Sequence, residues 1–126
     1  GGAAASPDIS CVAAFYGCNF ELFAPAQLSA KPVLAHFGEA DNLVGFSDAE
    51  TGRKLEKVLK DTGNTRASVV IHPRVGHAFM NTSPAPYASF DERMEKQGFP
   101  PYDEGIAEAA WSATLSFFSR HLVLSA

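Results

Sequence analysis

Apolar and polar positions along this chain fall into three near-continuous apolar runs and two segments of helical period. The runs are Ser10 to Tyr16, Pro32 to Phe37 and Ala67 to His72. None alternates strictly, as a half-solvated strand would. Continuous apolar strands are expected where both faces of a parallel sheet are covered by helices. Gly17 and Gly38 close the first two runs, and Pro73, which cannot donate to a ladder, stops the third. Between the second and third runs, Ser47 and Glu50 have the spacing of a capping box. Leu55, Val58 and Leu59 then form one apolar helix face. Lys57 and Lys60 suit the negative end of its dipole, and Gly63 is placed to terminate it. Strand, helix, strand is a βαβ unit, for which a right-handed crossover is expected.

A second helix is predicted after Asp103, with that residue as its N-cap. Ile106, Ala110, Ala113 and Phe117 form one stripe, and Trp111, Leu115, Phe118 and Leu122 form the next. Together they predict a wide apolar face lying flat on a sheet. The connection from Asn81 to Tyr102 is too long for a turn, has room for a short helix over Tyr87 to Lys96, and is of the length that is usually functional or mobile. The chain thus reads as a single α/β unit with about three parallel strands and flanking helices, without internal repeats or a second domain.

Composition narrows the function classes. The 126 residues are 46% hydrophobic, enough for a buried core. A formal charge of −4, with ten scattered Lys and Arg, argues against nucleic acid as a partner. No apolar run approaches the roughly 20 residues that span a bilayer, so no membrane association is expected. The N-terminal Gly1 to Ser6 lacks the basic and apolar regions of a signal peptide. Cys11 and Cys18 lack C-x-x-C spacing, and free thiols in a reducing, cytoplasmic compartment are the expectation.

In an open α/β sheet, ligands bind beyond the carboxyl ends of the strands. The polar residues there are Cys18 and Asn19 after the first run, Glu39, Asp41 and Asn42 after the second, and Arg74 and His77 after the third. Asp41 and His77 follow successive strands, so a right-handed crossover brings their loops to one sheet edge. An imidazole beside a carboxylate there can act as a general base. The remaining histidines have plainer readings. His36 is expected to be a hydrogen-bonded core residue, His72 to lie beside the site or be exposed, and His121 to favour a helix C-terminus. No H-E-x-x-H or similar spacing points to a metal, and no cofactor is expected.

These residues also carry a family resemblance. Phe15-Tyr16-Gly17, Pro32-Val33-Leu34-Ala35-His36-Phe37-Gly38-Glu39-Ala40-Asp41, His72-Pro73-Arg74-Val75-Gly76-His77-Ala78-Phe79 and the Ala110 to Phe118 segment with His121-Leu122 resemble the C-terminal half of the dienelactone hydrolases. Four blocks in the right order are more specific than any one. The resemblance implies an α/β-hydrolase fold and a small-molecule ester or lactone substrate. It makes Asp41 the acid and His77 the base of a nucleophile–His–Asp triad. Tyr16, Cys18, Arg74 and Phe79 are then the candidates for contacting substrate. Arg74 stands where the family often has a small residue, and its cation could narrow the pocket or bind a substrate carboxylate.

The family's nucleophile sits in a G-x-[CS]-x-G-G elbow, and no such motif occurs here. Gly45-Phe46-Ser47-Asp48-Ala49 comes nearest but lacks the final Gly, and Ser47 is expected to be spent as a helix cap. Gly1-Gly2 is either the closing pair of an elbow or a linker remnant. Cys18 could substitute only with a lowered pKa and His77 within reach. A sheet starting near Ser10 would also expose an apolar edge. The chain is therefore expected to be part of a longer hydrolase that lacks its N-terminal half, or to have that edge covered by a partner. The competing expectation is a non-catalytic α/β module that self-associates through the edge.

Overall fold

The computed structural model describes residues 6–20, 27 and 29–122. Gly1-Gly2, considered above for an elbow, lies outside them. Three strands, β1 (Val12–Phe15), β2 (Val33–Gly38) and β3 (Ala67–His72), form one parallel sheet in the order β1-β2-β3. The register pairs Val12 with Val33 and Val33 with Ala67. β1 is shorter than the apolar run predicted. Tyr16 takes a left-handed backbone (φ 63°), so the chain leaves the ladder after the Tyr16 N–H bonds the His36 carbonyl. β2 starts one residue after Pro32 begins the run and gains Gly38 at its end.

Helices α1 (Ala49–Asp61), α2 (Phe90–Gln97) and α3 (Glu104–His121) complete the described architecture. β2 is central and buried along its whole length, so its alternating side chains feed two cores. Val33, Ala35 and Phe37 pack with Leu55 and Leu59 of α1. Gly52 lets the helix approach the Phe37 ring, which a Cβ there would meet at 3.0 Å. On the opposite face His36 reaches Thr114 of α3. Val75, Phe79 and Ala110 form a second cluster there with Phe15 and Tyr16.

Two helical predictions are corrected. Ser47 does not cap α1: Asp48 is the N-cap residue, and its carboxylate accepts from the Thr51 hydroxyl (2.5 Å) and the Gly45 N–H (3.0 Å). The wide apolar face of α3 is only half used. Ala107, Ala110, Thr114 and Phe117 are buried, whereas Trp111 and Leu115 remain about half exposed, at 52% and 50%. A three-stranded sheet is too narrow to cover both stripes. Asp103 does cap α3, its carboxylate accepting from the Ile106 N–H at 3.1 Å. The long connection holds a helix that starts three residues and ends one residue later than predicted, capped by Ser89 and ended by left-handed Gly98. No helix among the described residues is long and apolar enough to cross a membrane.

Candidate active site

The loops that follow β2 and β3 leave the same edge of the sheet and are laced together. The Glu39 N–H donates to the His72 carbonyl and the Ala40 N–H to the Val75 carbonyl, each at 2.8 Å. Close approach is possible because Gly38 has no side chain. A Cβ there would lie 2.6 Å from the Val75 oxygen and 2.7 Å from that of Gly76. Gly76 is equally confined, with Pro100 Cδ 2.5 Å from where its Cβ would be. Sterics thus set the distance between the two loops before any functional side chain is considered.

That framework brings Asp41 and His77 together. Asp41 Oδ2 lies 3.0 Å from His77 Nδ1, with the carboxylate side chain 1% exposed and the imidazole 22% exposed. Asp41 Oδ1 accepts from the Leu43 N–H and from the Ser47 hydroxyl, both at 2.9 Å. Ser47 Oγ is also 3.1 Å from His77 Nδ1. With the Asp41 carboxylate facing it and the Ser47 hydrogen spent on Oδ1, Nδ1 is the nitrogen placed to carry the proton. That leaves the Nε2 lone pair as the basic position. A buried, hydrogen-bonded carboxylate behind Nδ1–H orients the ring and stabilises the imidazolium once Nε2 takes a proton.

Two aromatic rings flank the imidazole. Tyr16 lies 5.4 Å from it between centroids, and Phe99 5.2 Å. The Tyr16 hydroxyl accepts from the Met80 N–H at 2.9 Å, and burial is the main cause of its raised pKa, keeping the phenol neutral. Tyr16, Arg74 and Ala78 all have positive φ, between 60° and 65°. Such conformations cost about 1–3 kcal/mol each and gather at functional sites. Here they cluster at the carboxyl ends of β1 and β3.

The other residues singled out in the sequence lie elsewhere. Phe79 is buried behind Tyr16, 5.4 Å between ring centroids, as part of the α3-side core. Arg74 is largely exposed, its guanidinium 3.9 Å from Asp103 and its N–H on Glu39 Oε2. Cys18 packs against the α1-side core, where burial pushes its thiol up to about 11, opposite to the shift a nucleophile needs. His36 is fully buried, as expected. Its Nε2 bonds Thr114 Oγ1 at 3.0 Å and its Nδ1 faces His72 Nε2 at 2.9 Å. His72 is therefore a buried core partner rather than an exposed residue.

Sequence reasoning missed Ser47 and the segment after α2. Ser47 sits one residue before the N-cap position of α1, and its hydroxyl turns away from the helix to Asp41, a choice no local spacing announces. Gln97 to Pro100 is held against both site loops. Asn42 Nδ2 donates to the Gln97 carbonyl at 2.8 Å, Pro100 abuts Gly76, and from α2 the Arg93 guanidinium donates to the Pro100 carbonyl at 2.7 Å. Arg93 is buried, and its Nε has no hydrogen-bond partner among the described residues.

Comparison with known proteins agrees with the fold. A protein of Azospirillum brasilense that carries the name carboxymethylenebutenolidase is 28% identical over 120 residues, covering 94% of this chain and 43% of its own length. A crystal structure from Klebsiella pneumoniae subsp. pneumoniae, described as a dienelactone hydrolase, superposes with a TM-score of 0.63 at 21% identity. That match covers 94% of this chain and 45% of the other, and shows the shared fold. The chain therefore spans less than half the length of these relatives. The sequence profile of the dienelactone hydrolase family matches residues 2–122, and the chain belongs to that family.

Proposed function

We propose that this chain supplies the acid and the base of a hydrolase that cleaves ester or lactone bonds of small molecules by Cys/Ser–His–Asp catalysis. The observation that carries the reading is the 3.0 Å contact between buried Asp41 and part-exposed His77 at the carboxyl edge of a parallel sheet. His77 Nε2 takes the proton of the attacking thiol or hydroxyl, and Asp41 holds the imidazolium that forms. The nucleophile comes from sequence other than these 126 residues. Ser47 lies on the Nδ1 side of the imidazole, where an acid rather than a nucleophile belongs, and the Cys18 thiol is held protonated. Tyr16 and Phe99 wall the substrate beside His77. A reducing, cytoplasmic setting accords with free Cys11 and Cys18.

Joined to an upstream segment that bears a nucleophile elbow, the chain should hydrolyse activated esters and simple lactones. His77→Ala should then lower kcat/KM by about 10⁴-fold or more. Full activity in that variant would refute the assignment.

A second reading, a non-catalytic module that assembles with its own copies, has one observation in its favour. β1 pairs only with β2 among the described residues, which leaves its other edge open, and Trp111 and Leu115 are exposed.

A further inference from the structure

The turn from Asp41 to Ser47 folds back on itself so that Ser47 reaches the acid six residues before it. The Phe46 and Ser47 N–H groups both donate to the Leu43 carbonyl, at 3.2 and 3.0 Å, while the Leu43 N–H donates to Asp41 Oδ1. Ser47 is fully buried just before α1, and its hydroxyl turns away from the helix end to Asp41 and His77. A serine hydroxyl has one hydrogen. If it pointed at His77 Nδ1, that nitrogen would need a lone pair, which would face the Asp41 Oδ2 anion at 3.0 Å. The hydrogen therefore goes to Asp41 Oδ1, and the oxygen accepts from Nδ1–H.

Asp41, Ser47 and His77 thus close a ring in which every donor meets an acceptor. Oδ1 is occupied by two fixed donors, so Oδ2 is kept for the imidazole. An imidazole with its proton on Nε2 would turn its Nδ1 lone pair toward two oxygens instead of one. We propose that Ser47 is a positioning residue that holds His77 in the tautomer with Nδ1 protonated and Nε2 free. The inference rests on the reading of His77 as the base, but the arrangement itself can be tested without catalysis.

The test is long-range ¹H–¹⁵N correlation NMR of the histidine-labelled chain at a pH where His77 is neutral, with its signals identified by their loss in His77→Asn. Wild type should show the Nδ1–H tautomer. Ser47→Ala should lower the ratio of Nδ1–H to Nε2–H forms about tenfold, the scale of one lost hydrogen bond. Ser47→Thr, which keeps the hydroxyl, should restore the ratio. A wild-type His77 protonated on Nε2 would overturn the proposal whether or not the variants fold. So would an unchanged ratio in a folded Ser47→Ala chain. Loss of the tautomer preference in Ser47→Ala alongside full esterase activity in His77→Ala would sink the hydrolase assignment and leave the role of Ser47 standing.

Discussion

The buried His36–His72 pair should make this fold acid-sensitive in a window set by its surroundings. The Thr114 hydroxyl donates to the Ala110 carbonyl at 2.8 Å, so its oxygen can only accept from His36 Nε2–H. His36 Nδ1 is then an acceptor, and the His72 Nε2–H donates to it. His36 cannot gain a proton on Nδ1 without losing the His72 bond or placing two hydrogens face to face. Burial, with His72 adjacent, lowers the pKa of His36 from 6.5 to about 4, and burial lowers that of His72 as well. Above pH 6.5 both histidines are neutral in the folded and unfolded chain, and the bonds contribute fully. Between 6.5 and 4 the unfolded chain binds a proton that the folded chain refuses, so stability falls as pH falls. At about 1.4 kcal/mol per pH unit, the His36 shift alone is worth about 3 kcal/mol by pH 4, a large share of a typical 5–15 kcal/mol. Urea unfolding at intervals from pH 7.5 to 4 measures this for wild type and for His36→Gln, which cannot titrate. The variant should start less stable at pH 7.5, and the gap should narrow by about 3 kcal/mol at pH 4. Curves that stay parallel across the window would refute the argument, because carboxylates common to both proteins cancel in the difference.

Two further outcomes follow from packing. Gly38→Ala places a methyl group within 2.7 Å of two backbone oxygens, which cannot move aside as a flexible side chain could. It should cost about 2–3 kcal/mol, read as a lower urea midpoint with an unchanged m-value. Stability equal to wild type would mean that the β2 and β3 loops are less tightly coupled than their hydrogen bonds indicate. If the open edge of β1 and the exposed face of α3 mediate assembly, elution volume in size exclusion should fall as concentration rises, and Trp111→Lys should weaken that trend. A concentration-independent monomer would count against the assembly reading.

Local chemistry carried much of this protein in plain view. Near-continuous apolar runs specified three strands that pair in parallel, but only central β2 is buried along its whole length, while β1 and β3 at the sheet edges are partly covered. Asp103 was legible as a cap because its carboxylate needs only the N–H three residues on. Asp41 and His77 were legible because residues just past successive parallel strands must share an edge. Tertiary structure decided what depends on third parties. Ser47 had two possible employers, its own helix and a carboxylate six residues back, and only the fold of the turn chose the carboxylate. The apolar stripes of α3 looked alike in sequence, yet the width of the sheet buried Ala110 and Phe117 and left Trp111 half exposed. Arg74 was read from its position near the base, but its side chain extends toward Asp103, a partner 29 positions away that no local pattern announces. Periodicity and caps are short-range and survive in the sequence alone. The choice among competing hydrogen-bond partners is made only when distant segments meet.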